Sequence, residues 1–132
     1  MKEIKLSQSL EDYLEAIHSL VLANGKARVK DISQILSVKM PSVAKAVLEL
    51  KRLGCVKQEP YGSIELTKRG KEYAERVLNR HTLLKSFLTH LGVAETTADE
   101  DACRMEHILS AETLSRIERF MNPAEIKRKG TR

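Results

Sequence analysis

Residues 27–66 read ARVKDISQILSVKMPSVAKAVLELKRLGCVKQEPYGSIEL, and the changing period of this stretch decides the fold. Ile32, Ile35 and Leu36 predict a short helix over 31–36 with those three side chains buried. Pro41 suits the first turn of another helix, where the N–H that proline lacks has no partner within the helix. Val43, Ala46, Val47, Leu50 and Leu53 share one face, so this helix runs from Pro41 to about Leu53 and stops at Gly54. The period then shortens. Residues 55–59 and 63–66 read as two strands joined by Pro60-Tyr61-Gly62, a ribbon too small to stand without helices behind it.

Upstream, Leu10, Tyr13, Leu14, Ile17, Leu20 and Val21 predict a helix from about Ser7 to Ala23, closed by Asn24-Gly25. Downstream, Thr67 caps a long helix that carries Tyr73, Ala74, Val77, Leu78, Leu84, Phe87, Leu88 and Leu91 and ends at Gly92. Thr97 with Glu100 has capping-box spacing and predicts a helix to Leu109. Ser110 caps a last one, with Leu114, Ile117 and Phe120 facing inward. Helix, helix, turn, helix and two-strand ribbon is the order of a winged helix-turn-helix. The fold class is therefore mainly α, with a winged head over residues 1–71 and a helical region over 72–132.

Charge separates the same two regions. The 132 residues carry +5, from 23 Lys and Arg against 18 Asp and Glu. Residues 1–71 hold 13 basic and 8 acidic side chains, whereas 72–132 hold 10 of each, so the head carries the whole excess. A basic head fits a polyanionic partner. With no Trp, three Tyr and two Phe, the core has to be mostly aliphatic. No apolar run approaches the roughly 20 residues of a membrane span, and the charged N-terminus is no signal peptide. Two cysteines 48 positions apart give no disulfide framework, so a cytoplasmic location is expected.

The helix starting at Pro41 is short enough for a major groove. Base reading is expected of Pro41, Ser42 and Lys45 near its start, by methyl contact and hydrogen bonds. Lys39, Lys45, Lys51, Lys57, Lys68, Arg69 and Lys71 are candidates for phosphate contacts. Arg52 lies on the same polar face, and Tyr61 lies at the ribbon tip.

A second constellation is chemical. Cys103, Glu106 and His107 stand at i, i+3 and i+4, and thiolate, carboxylate and imidazole together are a transition-metal donor set. Asp12 and Glu15 are a turn apart on the first helix, and His81 lies within the long one. From spacing alone each fragment is equally an ordinary solvated or half-buried group. His18 and His90 read as boundary residues, and Cys55 as a small hydrophobe. No glycine-rich phosphate loop and no His-Glu-x-x-His is present, which speaks against an enzyme.

The segments EDYLEAIHSL, ARVKDISQILSVKMPSVAKAVLELKRLG, GSIELTKRGKEYAERVLNRHTLLKSFL and DACRMEHILS span nearly all of residues 7–120. Together they resemble the metal-dependent repressors of the diphtheria toxin repressor and manganese transport regulator family. The resemblance implies a homodimer joined through its C-terminal helices, with winged heads on successive major grooves of a palindromic operator. It further implies repression of manganese- or iron-uptake genes when a divalent ion binds. Asp12, Glu15, His81, Glu106 and His107 fall on ligand positions of the manganese branch. Cys103 stands where that branch has Glu and the iron branch has Cys. An ancillary site of the iron branch maps onto Lys85 and Asp99, and Lys85 departs from it outright. The implied cofactor is Mn(II) or Fe(II), with Zn(II), Co(II) and Ni(II) favoured more by a thiolate than Mn(II) is. The alternative is a metal-independent winged-helix regulator that senses a small ligand or oxidant through Cys103.

Overall fold

The computed structural model describes residues 4–60 and 62–122. Within them lie α1 (Gln8–Asn24), α2 (Val29–Leu36), α3 (Met40–Arg52), β1 (Val56–Gln58), β2 (Ile64–Leu66), α4 (Lys68–His90), α5 (Glu95–Met105) and α6 (Ala111–Met121). The chain divides into two compact units, residues 1–77 and 78–132. Among the described residues no helix is long and apolar enough to cross a membrane.

The first unit is a winged helix-turn-helix built on an aliphatic core. Ser7 opens α1 by accepting a hydrogen bond on Oγ from the Leu10 N–H, and Gly25 closes it at φ 81°. Leu14, Ile17, Ile32, Val43, Leu50 and Ile64 are completely buried where α1, α2, α3 and the ribbon meet. Each such side chain contributes roughly 1.5–3 kcal/mol of burial. The strands pair antiparallel with Val56 opposite Leu66, Lys57 opposite Glu65 and Gln58 opposite Ile64. The Ile64 N–H also donates to the Ala27 carbonyl (2.7 Å), which ties the ribbon to the segment between α1 and α2. Thr67 caps α4 as expected, accepting from the Gly70 N–H (3.0 Å) while its hydroxyl donates to the Gly54 carbonyl (2.6 Å). At Gly70 a Cβ would lie 1.9 Å from the Cys55 carbonyl oxygen, so the first turn of α4 meets the ribbon at a distance only glycine allows.

Three readings of this unit need correction. Helix α2 starts at Val29 rather than Asp31, and Ile35 is 52% exposed. Ile32 is the residue of α2 that is fully covered, with Val29 and Leu36 partly buried against the same core and Ile35 turned off that face. His18 is buried rather than at the boundary, as is Glu11. Both are in phase with Leu14 on α1, at i−3 and i+4, and so turn toward the core with it.

The second unit comprises the end of α4 with α5 and α6. Helix α5 begins at Glu95, after Gly92 (φ 100°) and an extended Ala94, and has no side-chain cap. Thr97 therefore lies inside the helix and is not its cap. Once Gly92 has turned the chain, the helix starts three residues earlier, with Ala94 in place of Thr97 at the cap and acidic Glu95 in the favourable first turn. It also ends earlier, at Met105: Glu106 is its C-cap, and His107 lies in the turn that follows. Helix α6 is capped by Ser110, whose Oγ accepts from the Thr113 N–H, but none of its residues is buried. Phe120 is 57% exposed, resting edge-on against Phe87 and His90 at centroid distances of 6.0 and 5.7 Å. Leu78 on α4 is exposed, as is Leu91, which the sequence places in this helix but which lies just past its end at His90.

Candidate functional site

Donor groups converge at the end of α5. Glu106 is fully buried in its side chain. One of its oxygens lies 3.3 Å from His81 Nδ1 and the other 3.5 Å from His107 Nε2. Glu106 is the C-cap of α5 and keeps a helical backbone, its N–H still donating to the Ala102 carbonyl (3.0 Å). Cys103 stands one turn earlier and is exposed at residue level. Donor atoms of Cys103, Glu106 and His107 all lie within 4.8 Å of one another.

Those distances fit a divalent ion. A first-row metal about 2.0–2.3 Å from each ligand holds its donors no more than about 4.6 Å apart. Rotamer-scale shifts would therefore close the three donors on one ion. A buried carboxylate between two imidazoles, with a thiol beside it, combines hard, borderline and soft donors. Loading such a set displaces protons from thiol and imidazole, so binding would weaken as pH falls.

Helix α5 also braces His81. Its Nε2 is 2.9 Å from Asp99 Oδ1, and the His81 hydrogen bond holds the Asp99 carboxyl below the ordinary carboxylate range, with Lys85 adding a smaller effect. Sequence reasoning did not find this bracing role. Asp99 looks like one of several surface acids along 99–101, and its contact depends on how α4 and α5 pack.

In the first unit, Asp12 and Glu15 lie half-buried, a turn apart on one face of α1. Beside them is a contact absent from the sequence reading. The Leu6 N–H donates to Tyr73 Oη (2.9 Å), and the Tyr73 hydroxyl donates to buried Glu11 Oε2 (2.7 Å). This chain of bonds fixes the start of α1 against α4. The signal was available in the helical phase of Glu11, which a reading by charge alone overlooks.

The nucleic-acid candidates lie on the opposite chemistry of the head. Lys39 is the N-cap residue of α3, and Pro41 sits in its first turn. Lys39, Pro41, Ser42, Lys45, Lys51 and Arg52 are all exposed. Arg52 is already paired with Glu49 one turn back, and the pairing lowers the Glu49 carboxyl. Arg69 donates to the Leu53 carbonyl at 3.3 Å and so helps close α3. Lys57 faces Glu65 across the ribbon at 3.8 Å. Tyr61 lies outside the described residues.

Two family models match successive parts of the chain. Residues 5–64 match the model of the iron-dependent repressor N-terminal DNA-binding domain. Residues 67–131 match that of the iron-dependent repressor metal-binding and dimerisation domain. An HTH-type transcriptional regulator of Methanocaldococcus jannaschii is 42% identical over 118 residues, covering 88% of this chain and 94% of the relative. The crystal structure of T. acidophilum IdeR is 33% identical with a TM-score of 0.74, covering 91% of this chain and 55% of that one. The structure of the manganese regulator SloR is 29% identical with a TM-score of 0.75, covering 90% and 55%. The chain thus spans about half the length of these two solved relatives and nearly all of the archaeal one. On two domain models that together cover almost its whole length, the chain belongs to the iron-dependent repressor family.

Proposed function

We propose that this family member is a metal-activated transcriptional repressor of manganese- or iron-uptake genes. In this reading Asp12 and Glu15 of α1 join His81, Cys103, Glu106 and His107 as ligands of Mn(II) or Fe(II). Zn(II), Co(II) and Ni(II) compete through the thiolate of Cys103. The observation that carries the reading is Glu106, a fully buried carboxylate held between two imidazoles in a chain whose other unit is a winged head. When bound, the ion supplies positive charge that draws carboxylates on separate helices to a common centre. Glu106 and the imidazoles supply fixed donors, and Asp12 and Glu15 supply the mobile half of the set.

Two heads in a cytoplasmic homodimer then read successive major grooves of a palindromic operator. Pro41, Ser42 and Lys45 meet base edges, and Lys39, Lys51, Arg52 and Tyr61 meet the backbone. The exposed apolar residues of the second unit, Phe120 and Leu91 among them, support a second copy of the chain as the dimer partner. The metal shifts the population toward the spacing of heads that fits DNA.

The test is operator binding by the full chain, using a duplex selected from a random pool by the Mn(II)-loaded protein. Chelation should weaken binding by about 5–150-fold, the usual range of allosteric coupling. Equal affinity with and without metal would remove the switch and favour the metal-independent alternative.

A further inference from the structure

One side of α3 carries an apolar side chain that the head leaves uncovered. Val43, Ala46, Val47 and Leu50 turn inward, while Pro41, Ala44, Lys45 and Leu48 recur on the outer side at i, i+3, i+4 and i+7. Leu48 is 68% exposed. A leucine loose on a surface is ordinary, and Leu22 on α1 is one. Leu48 differs in standing in a row with Pro41 and Lys45, the candidate base readers, and among cations. Lys45 lies one turn before it, and Lys51 and Arg52 lie one turn after. The acid beside it is engaged, since Arg52 Nε donates to Glu49 Oε1 at 3.0 Å. An apolar tip ringed by cations suits the DNA major groove, with phosphates along its walls and thymine methyl groups at its base edges. A second copy of the chain on this face would instead bring the same lysines against one another.

We infer that Leu48 is a further base-reading residue of α3, which covers the C5-methyl group of a thymine and so selects thymine at one position of each half-site. The inference rests on the reading of α3, proposed above, as the helix in the groove. The rise of an α-helix places Leu48 about 10 Å beyond Pro41, or about three base-pair steps along the groove. Selection works by solvation. Leucine gains by covering a methyl group, whereas cytosine at that place would present an amino group with no acceptor to meet it.

A thymine-to-uracil scan tests this, on a duplex selected from a random pool by the Mn(II)-loaded full chain, with affinity read by fluorescence anisotropy. Uracil removes the methyl group and keeps the base pair. In each half-site the unchanged protein should lose about fourfold at a thymine that reports Leu48, the worth of one covered methyl. Leu48→Ala should abolish that loss, and Leu48→Met, which stays long and apolar, should keep it. The position should lie about three base pairs from the one whose loss Pro41→Ala abolishes. A uracil profile unchanged in Leu48→Ala, or a selected duplex with no thymine at that place, would overturn the inference while leaving α3 in the groove. An altered subunit number of Leu48→Ala on sedimentation, with its uracil profile unchanged, would assign the side chain to a protein contact and overturn it too. Failure to select any duplex would overturn the DNA reading of α3 and this inference with it. Leu48 is exposed and alanine is a strong helix former, and a thermal melt of each variant verifies that the fold is retained.

Discussion

The two units solve different physical problems. The winged head closes an aliphatic core within itself, with Leu14, Ile17, Ile32, Val43, Leu50 and Ile64 wholly covered. The second unit fully covers Leu84, Ala98 and Ala102 but also Glu106, while Leu78, Leu91, Ile108 and Phe120 stay exposed. Burial of apolar surface accounts for most of the head, where buried Glu11 is hydrogen-bonded by the Tyr73 hydroxyl. The second unit buries Glu106 beside two imidazoles and leaves more apolar surface outside for its size.

Leu50→Ala breaks the contrast from the head side and has the largest expected effect. Removing a fully buried leucine costs about 2–5 kcal/mol. Thermal melting should show a loss that saturating metal does not restore, because the cavity lies in the core of the head. Recovery of the full stability with metal would mean that the head is not an independent core.

Cys103→Glu sharpens the contrast from the other side, at smaller cost. Replacing a soft donor by a hard one should raise Mn(II) affinity relative to Zn(II) in competition titrations, with head stability unchanged. An unaltered ranking of metals would take Cys103 out of the ligand set.

The smallest effect is one of thiol reactivity. Burial pushes the Cys55 thiol above its ordinary range, partly opposed by Arg69, whereas Cys103 is exposed. Cys103 should therefore react first with an alkylating reagent, and metal should protect it. The raised value at Cys55 contributes stability below the ordinary thiol pKa, and that contribution is lost as pH rises through the folded value. Rapid alkylation of Cys55 in the folded protein at neutral pH would contradict its place in the core.

Much of the head was legible because its signals are local. The spacing of Leu14, Ile17 and Leu20, the face from Val43 to Leu50, and the breaks at Gly25 and Gly54 each lie within a few residues of what they specify. The second unit was less legible. A capping box at Thr97 and Glu100 satisfies a local rule, but α5 starts earlier, after the turn at Gly92, and ends at Met105 rather than Leu109. The pairing of Asp99 with His81 and Lys85 depends on how α4 and α5 pack, which spacing does not encode. Period groups Leu114, Ile117 and Phe120 on one face of α6 without saying what covers that face. The donor residues themselves were visible through their chemistry and through resemblance to the family. Glu11 and His18 were hidden by a reading that took charge as a sign of exposure.

The central claim is that one ion gathers ligands from both units. Anomalous diffraction from crystals of the Mn(II)-loaded full chain tests it most directly. The account predicts a strong peak in each subunit, about 2.0–2.3 Å from oxygens of Asp12, Glu15 and Glu106, nitrogens of His81 and His107, and the sulfur of Cys103. A peak bonded to residues of one unit alone, or no peak at saturating metal, would contradict it.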